Sequence, residues 1–252
     1  MRQVTSALAD NEVQVWLATV PAMDVDMLPF FCALSSGEEA RAKRFRVDGS
    51  RCQFVFGRAL LRQLLGACLN VDPPRVVIGS AARGKPCLDR NLAERDLRFN
   101  LSHSHSQVAI ALACGVEVGV DIEWMDRSVD WRLVAERIFS SGELSELRSL
   151  PESQQREAFF NGWTRKEAYL KATGEGLINE ISAVEVTLAP GTKPELLGFP
   201  PGSGDPVRWG IRDIPLSSGY AGALVFGDGD CDGQRGYSSG TPDCTFDARK
   251  SI

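Results

Sequence analysis

Two carboxylates, Asp121 and Glu123, stand two residues apart at the end of the mostly apolar segment 115–120. Side chains alternate between the faces of a β-strand, so both carboxylates share one face of a predicted strand, about 6.5 Å apart. Gly119 lies on the same face and leaves room for a ligand to approach. A wet edge strand explains the pair without a ligand. A Mg²⁺ site explains it too, because Mg²⁺ takes one or two carboxylates together with phosphate oxygens and water.

A third carboxylate follows about forty residues later on a predicted helix. Trp163, Glu167 and Lys171 have the spacing i, i+4, i+8 and therefore lie along one stripe of that helix, with Lys166 beside them. The alternative is a solvated Glu–Lys pair, which would contribute only about 0.3–0.5 kcal/mol. Together with the acidic strand, the stripe suggests a metal-assisted phosphate site.

Basic side chains at two further places could bind an anion. Gly84 and Pro86 fix a turn that presents Lys85. The basic segment 41–46 begins with Arg41, and Arg51 follows it closely. For this segment a solvated helix face is the simpler interpretation. Each of these patterns is common, so their value lies in their combination.

The two histidines of the chain, His103 and His105, form a His-x-His pair after Ser102. The pair invites a zinc interpretation, but no third ligand stands nearby, and zinc sites in proteins use three or four protein ligands. Seven cysteines are scattered without a CxxC pair, and an odd number cannot close a disulfide set. We expect most of them to be reduced residues of the core.

Composition restricts the class of protein. The chain has 252 residues, of which 43% are hydrophobic and 24% charged, as in globular proteins with a sizeable core. Its formal net charge of −5 argues against a nucleic-acid partner, because such domains are usually basic. No stretch has the length of a membrane span or of a signal-peptide apolar region. We therefore expect a cytoplasmic protein without a membrane partner.

A weak internal echo predicts two similar halves. Segments 34–39 and 139–144 resemble each other, and each contains a capping-box pattern, Ser36/Glu39 and Ser140/Glu143, ahead of a long helix. Strand candidates then follow in the same order in both halves. We predict an α/β (α+β) fold with mostly antiparallel sheets, built as a pseudo-dimer of two similar α/β halves, with the active site at their interface.

The predicted boundaries place an N-terminal α/β half at 1–115 and a C-terminal α/β half at 116–226. The remaining segment, 227–252, has few apolar groups to bury, and we expect it to be a disordered tail. Chance recurrence of capped helices and hairpins is the alternative explanation of the echo.

Four motifs occur in a characteristic order: GKP at 84–86, FNLSH at 99–103, GVDIE at 119–123 and WTRKEAYLK at 163–171. In this order they resemble the Sfp-type 4′-phosphopantetheinyl transferases, and the Trp163/Ala168 version resembles the W/KEA branch. The resemblance covers about residues 34–190. It implies a pseudo-dimeric fold of two α/β halves, in agreement with the echo, and a monomer.

The resemblance implies a Mg²⁺-dependent reaction, with Mn²⁺ as an alternative, in which coenzyme A donates phosphopantetheine to a serine of an acyl or peptidyl carrier protein and 3′,5′-ADP leaves. It implies Asp121, Glu123 and Glu167 as metal ligands. Asp121, Glu167 and Lys171 would be catalytic, with Glu167 or a metal-bound water as the base. The implied coenzyme A contacts are Arg41, Arg51, Lys85, Pro86, Ser102, His103, Lys166 and Lys171.

Near the basic segment the sequence departs from some relatives. Those relatives use Lys and Arg on the 3′-phosphate, where a gapless comparison offers Glu38, Arg41 and Gln53, with Arg51 slightly displaced. Two rival functions remain at this point: another metal-dependent phosphoryl enzyme, such as a phosphodiesterase, and a non-catalytic module that binds a carrier or partner helix. The sequence does not rank fatty-acid, polyketide and nonribosomal-peptide carriers.

Overall fold

The structure is a computed structural model that describes residues 8–10, 12–22, 25–81, 84–88, 96–126, 128, 130–174, 181–199, 209–227 and 237–240. Its strands are β1 (Val13–Thr19), β2 (Ile78–Ser80), β3 (Pro86–Leu88), β4 (Leu97–Ser104), β5 (Gln107–Cys114), β6 (Val118–Trp124), β7 (Glu185–Val186), β8 (Leu196–Gly198), β9 (Trp209–Asp213), β10 (Tyr220–Gly227) and β11 (Tyr237–Gly240). Its helices are α1 (Leu28–Phe31), α2 (Ser36–Ala42), α3 (Asp48–Leu69), α4 (Trp131–Ile138), α5 (Ser141–Ser149) and α6 (Glu152–Thr173).

Two main sheets carry the fold. The first has the strand order β11-β1-β5-β4 and the second has the order β6-β10-β9. Every pairing is antiparallel except that of β1 with β11. The strands β4 and β6 are edge strands of their sheets in the part of the chain described. The predicted α/β class with mostly antiparallel sheets is confirmed.

Three apolar clusters hold the layers together. One packs α3 against the first sheet and another packs α6 against the second. The third lies between the two sheets and includes Val118, Val120 and Ile122. Strand β5 shows how alternation serves two clusters, because Ile110 belongs to the first and Ala111 to the third. The resulting order of layers is helix, sheet, sheet, helix.

One order of elements occurs twice along the described chain. The sheet order β1-β5-β4 has its counterpart in β6-β10-β9, the hairpin β2-β3 in β7-β8, and the helix pair α2 and α3 in α5 and α6. Helices α3 and α6 have 22 residues each and end at a left-handed cap, Asn70 and Gly174. This repetition agrees with the echo in the sequence, now at the level of topology.

The first capping box lies one residue earlier than predicted. Ser35 caps α2 and Glu38 is its N3 partner, so the predicted pair Ser36/Glu39 is wrong, whereas Ser140 and Glu143 cap α5 as predicted. Two adjacent serines followed by two adjacent glutamates made either register possible. The corrected pair has a physical reason, because Glu38 is buried and contacts Arg58 and Arg62 of α3.

The predicted disordered tail at 227–252 needs a correction. Gly227 is the last residue of β10, and Tyr237–Gly240 forms β11, which pairs in parallel with β1 between Val13 and Trp16. Strand β1 otherwise offers unpaired backbone groups along that edge, and these form the pairing site. Residues 228–236 and 241–252 lie outside the described residues. No described helix combines the length and the apolar character needed to cross a bilayer.

Gly119 sets the distance between β6 and α6. A Cβ at this position would lie 2.1 Å from the carbonyl oxygen of Ala168 and 2.4 Å from the backbone nitrogen of Ala172. The open space that the sequence suggested for a ligand at Gly119 is therefore filled by the backbone of α6. This contact brings the acidic face of β6 directly against the helix that carries Glu167 and Lys171.

We expect Gly119→Ala to lower the free energy of unfolding by about 3 kcal/mol, because the clashing atoms belong to a helix backbone that cannot rotate away. Urea unfolding followed by circular dichroism measures this change. Gly37→Ala is the matched control, since a Cβ at Gly37 would meet nothing within 4 Å. Equal stability of the two variants would contradict the close packing of α6 on β6.

Candidate active site

Strand β4 contacts β6 through side chains rather than through a backbone ladder. The backbone N–H groups of Val120, Ile122 and Trp124 donate hydrogen bonds to side-chain oxygens of β4, at 2.9, 3.3 and 2.9 Å. The acceptors, in the same order, are Asn100 Oδ1, Ser102 Oγ and Ser104 Oγ. This row of hydrogen bonds, the β4–β6 seam, joins the edges of the two sheets.

Two of the seam serines also bind the acidic pair. Ser102 Oγ donates to Asp121 Oδ1 at 2.9 Å, and Ser104 Oγ donates to Glu123 Oε2 at 2.8 Å. Each hydroxyl thus accepts from the backbone of β6 and donates to the carboxylate one residue earlier. The acidic strand is therefore not a wet edge, because β4 lies along its edge and α6 packs on the face that carries the two carboxylates.

Helix α6 supplies the positively charged side chain of this site. Lys171 Nζ donates to Asp121 Oδ1 at 2.6 Å and to Ser102 Oγ at 3.1 Å. Asp121 is 3% exposed, and burial raises the pKa of its carboxyl while Lys171 partly opposes that rise. The ion pair keeps a charge that would otherwise be expensive to bury.

Glu167 lies one turn before Lys171 on α6, and its pKa is raised as well. Burial, together with the charge of Asp121, raises the pKa of Glu167 to about 7. Burial and Asp121 also raise the pKa of Glu123, while hydrogen bonds from Ser104 and the Trp163 side chain oppose that rise. The three carboxylates are thus close enough to disfavour one another's ionisation.

Two buried carboxylate oxygens of this group, Asp121 Oδ2 and Glu167 Oε1, accept no hydrogen bond from any described residue. Buried polar atoms are normally satisfied, so these oxygens fit a cation ligand. No three His, Cys, Asp or Glu side chains among the described residues converge into a ready-made metal cage. Mg²⁺ does not need one, because water and substrate phosphate oxygens complete its shell beside the protein carboxylates.

Lys166 does not belong to this site, and its predicted role in binding coenzyme A is wrong. The side chain is fully buried, and Nζ donates to Glu143 Oε2 at 2.6 Å and to the carbonyl oxygens of Ile138 and Ile181 at 2.8 and 3.2 Å. A helix turns 100° per residue, so Lys166 and Glu167 point in different directions. The sequence alone did not show that Lys166 is the buried partner of the α5 capping box.

Three further residues were predicted to contact coenzyme A, and they differ in exposure and in their partners. Lys85 Nζ donates to Glu117 Oε2 at 2.9 Å and to the Ala172 carbonyl oxygen of α6 at 2.8 Å, so Lys85 reaches the C-terminal end of that helix. Pro86 is exposed at the start of β3, and His103 is exposed on β4, where it alternates with the two seam serines. These residues flank the acidic group without joining it.

The basic side chains near α2 make local contacts. Arg41 lies over the ring of Phe54, 4.9 Å from its centroid, and Arg51 pairs with Asp48 at 2.8 Å. Of the other positions in the gapless comparison, Glu38 is committed to arginines of α3, and Gln53 Nε2 donates to the carbonyl oxygen of His105. Arg41 and Arg51 therefore remain the basic side chains near α2 that the sequence suggests for binding an anion.

The two histidines do not form a metal pair in the described structure. His105 has a left-handed backbone, with φ of 51°, and its ring stacks on Trp124 with centroids 5.2 Å apart. Tyr220 contacts His105 Nδ1 through its hydroxyl at 3.3 Å. The His105 side chain is thus part of an aromatic group beyond the end of β6, and the zinc interpretation has no support here.

Two functional contacts were missed at the sequence level, those of Ser104 and Trp163 with Glu123. A signal for Ser104 existed. Polar residues recur with period two in β4, as they do around Asp121 and Glu123 in β6, and two strands with matching polar faces can share hydrogen bonds. A signal for Trp163 existed as well, because its i, i+4, i+8 spacing already placed it on the helix stripe of Glu167 and Lys171.

The fold mixes helices and sheets, and it places Lys171 in contact with Asp121 beside two half-buried glutamates, Glu123 and Glu167. Residues 117–224 match the model of the 4′-phosphopantetheinyl transferase superfamily, and residues 22–115 match that of the 4′-phosphopantetheinyl transferase, N-terminal. The chain is similar to the 4′-phosphopantetheinyl transferase HetI of Nostoc sp. (strain PCC 7120), with 37% identity over 88% of this chain and 91% of that relative. The chain belongs to the 4′-phosphopantetheinyl transferase superfamily.

A second relative agrees with this assignment. The 4′-phosphopantetheinyl transferase AcpT of Escherichia coli (strain K12) is 38% identical over 54% of this chain and 65% of its own length. The resemblance inferred from the four motifs is thus confirmed, and so is the enzyme class, a transferase. Family membership favours this class over a phosphodiesterase and over a non-catalytic module.

Replacing Lys166 tests its reassignment to the core. We expect Lys166→Met to lower the free energy of unfolding by about 3–5 kcal/mol, because it leaves the buried Glu143 carboxylate without its cation. The control Lys193→Met removes an exposed pair with Glu195 and should cost less than about 1 kcal/mol. Urea unfolding measures both. Unchanged stability combined with weaker coenzyme A binding would restore Lys166 as a ligand.

The raised pKa of Glu167 predicts a pH-dependent stability in EDTA. Between pH 4.5 and about 7 the folded protein holds a proton on Glu167 that the unfolded chain has released, so stability falls as pH rises through this window. Glu167→Gln cannot ionise and should gain roughly 2–3 kcal/mol over the wild type from pH 4 to pH 8. Glu157→Gln, exposed on the same helix, is the control. A gain that does not depend on pH would contradict the prediction.

Proposed function

We propose that this enzyme transfers the 4′-phosphopantetheine group from coenzyme A to a serine of an apo acyl or peptidyl carrier protein, with Mg²⁺, and releases 3′,5′-ADP. The observation that carries the proposal is the buried group of Asp121, Glu123 and Glu167 with two unsatisfied carboxylate oxygens beside Lys171. The names of the similar proteins support the transferred group, and the family assignment supports the acceptor class.

The cation would be held by the carboxylates of Asp121, Glu123 and Glu167. When bound, it would neutralise negative charge that develops on the pyrophosphate of coenzyme A. Mn²⁺ prefers the same oxygen ligands and would replace Mg²⁺. The buried oxygens Asp121 Oδ2 and Glu167 Oε1, which accept no hydrogen bond from a described residue, support this ligand set.

The reacting groups follow from the chemistry of a phosphoanhydride. The serine oxygen of the carrier forms a bond to the β-phosphorus, and the bond from that phosphorus to the bridging oxygen breaks, so that 3′,5′-ADP leaves with the bonding electrons. Glu167, with a pKa of about 7, is the candidate base for the serine proton. Lys171 would donate to the departing phosphate, because its ammonium group lies at the same cluster.

The nucleotide end of coenzyme A would bind on the first half and at its junction with α6. Lys85, Pro86 and His103 flank the acidic group, and Ser102 stands inside it. Arg41 and Arg51 are the basic groups proposed for the 3′-phosphate. Lys166 has no place in this list because it is buried against Glu143.

We also propose the division into an N-terminal half, 1–115, and a C-terminal half, 116–226, with the site at their junction. The repeated element order supports the division, and Gly115, with φ of 75°, lies between β5 and β6. The acidic residues come from the second half and the two hydroxyls come from the first. Both halves are therefore needed for a complete site.

Incubating the protein with coenzyme A, Mg²⁺ and a panel of apo carriers tests the reaction directly. Mass spectrometry should show a carrier heavier by one phosphopantetheine group, modified at a serine. Glu167→Gln should lower kcat by about 10²–10⁴-fold through loss of the base, while the protein stays folded. Glu157→Gln is the control and should transfer at the wild-type rate. Absence of the mass gain with every carrier would overturn the proposed reaction.

A further inference from the structure

Ser104 occupies a position that the family assignment and the proposed reaction leave unexplained. It is the last residue of β4, and its hydroxyl makes two hydrogen bonds, donating to Glu123 Oε2 at 2.8 Å and accepting from the Trp124 backbone N–H at 2.9 Å. A serine hydroxyl has one proton to donate. Because the backbone N–H takes an acceptor position, that proton is directed to the carboxylate.

The contact constrains a side chain that has few other restraints. Glu123 has three side-chain torsions, and besides Ser104 the Trp163 side chain and the charge of Lys171, both on α6, favour its ionised form and oppose the rise that burial causes in its pKa. Asp121, by comparison, is held by Ser102 and also by Lys171. Ser104 therefore restrains the Glu123 carboxylate with one hydroxyl, whereas a hydroxyl and an ammonium group restrain that of Asp121.

We propose that Ser104 is a positioning residue, which holds the Glu123 carboxylate in the orientation that binds the divalent cation together with Asp121 and Glu167. The inference rests on the proposed function, because it takes Glu123 as a metal ligand. Ser104 does not contact the cation or the substrate in this scheme. Residues that orient metal ligands typically change metal affinity by 10–100-fold when they are replaced.

A purely structural role is the competing explanation, since Ser104 also closes the β4–β6 seam. Asn100 separates the two roles. It accepts a hydrogen bond from the Val120 backbone N–H at 2.9 Å, as Ser104 does from Trp124, but the residue that precedes Val120 is Gly119, which has no carboxylate. Replacing Asn100 therefore weakens the seam without releasing an acidic ligand.

The deciding experiment measures Mn²⁺ binding to the full-length protein saturated with coenzyme A, from the electron paramagnetic resonance signal of free Mn²⁺, with coenzyme A alone as the blank. We expect Ser104→Ala to raise the Mn²⁺ dissociation constant by about 10-fold or more. Ser104→Thr keeps the hydroxyl and should stay within about threefold of the wild type. Asn100→Ala should lower Tm and leave the dissociation constant within the same limit.

A second pair of variants keeps the inference testable if Ser104→Ala does not fold. Ser104→Thr and Ser104→Val have nearly the same shape and differ in the hydroxyl, so Val should bind Mn²⁺ about 10-fold more weakly than Thr. The Mg²⁺ concentration that gives half-maximal transfer should shift in parallel. Equal Mn²⁺ affinity of Thr and Val, or an equal loss in Asn100→Ala, would leave Ser104 with a structural role only and overturn the inference.

Measurements on the wild-type protein distinguish failure of the proposed reaction from failure of the inference about Ser104. If it binds Mn²⁺ but modifies no carrier, the proposed reaction fails, and the Ser104 comparison still decides the inference. If it modifies carriers and Ser104→Ala binds Mn²⁺ normally, the inference alone fails. If the wild type with coenzyme A binds no Mn²⁺, the metal ligands and the role of Ser104 fail together.

Discussion

The architecture of the site depends on the β4–β6 seam, in which side-chain oxygens of one edge strand accept hydrogen bonds from the backbone of another. Polar side chains are required for such a junction, and their spacing must follow the period of two that alternation imposes. Asn100, Ser102 and Ser104 meet this requirement along β4. Each serine still has a proton to donate, so the same junction hydrogen-bonds two carboxylates. An apolar junction would leave these carboxylates without hydrogen-bond donors.

The close approach of α6 follows from the same arrangement. Gly119 lies on the face of β6 that carries the acidic pair, and its missing Cβ lets the helix backbone come within contact distance. Lys171 can then reach Asp121, while the carboxyl of Glu167 loses water and gains negative neighbours. The raised pKa of Glu167 is thus a consequence of backbone packing as much as of charge.

A second polar device occurs once in each half, away from the acidic group. In each half a capping-box glutamate, Glu38 or Glu143, pairs with a buried cation of the following long helix, Arg62 or Lys166. The two cations occupy the same position counted from the start of helices of equal length. The ion pair joins the capped helix to the long helix, and each cation also donates to the carbonyl oxygen of a further segment, that of Val76 or Ile138. The repeat is therefore one of polar packing as well as of element order.

The sequence by itself determined the fold class, the family and the acidic residues, because strand alternation, helix periodicity and motif order are local properties of the chain. It also determined that Glu167 and Lys171 share a helix stripe. It misassigned Lys166, placed the first capping box one residue too late, and left Ser104 and Trp163 without roles. Only the tertiary structure decided these points, because the direction of a buried side chain depends on partners distant in sequence, such as Glu143 for Lys166 and Glu123 for Ser104.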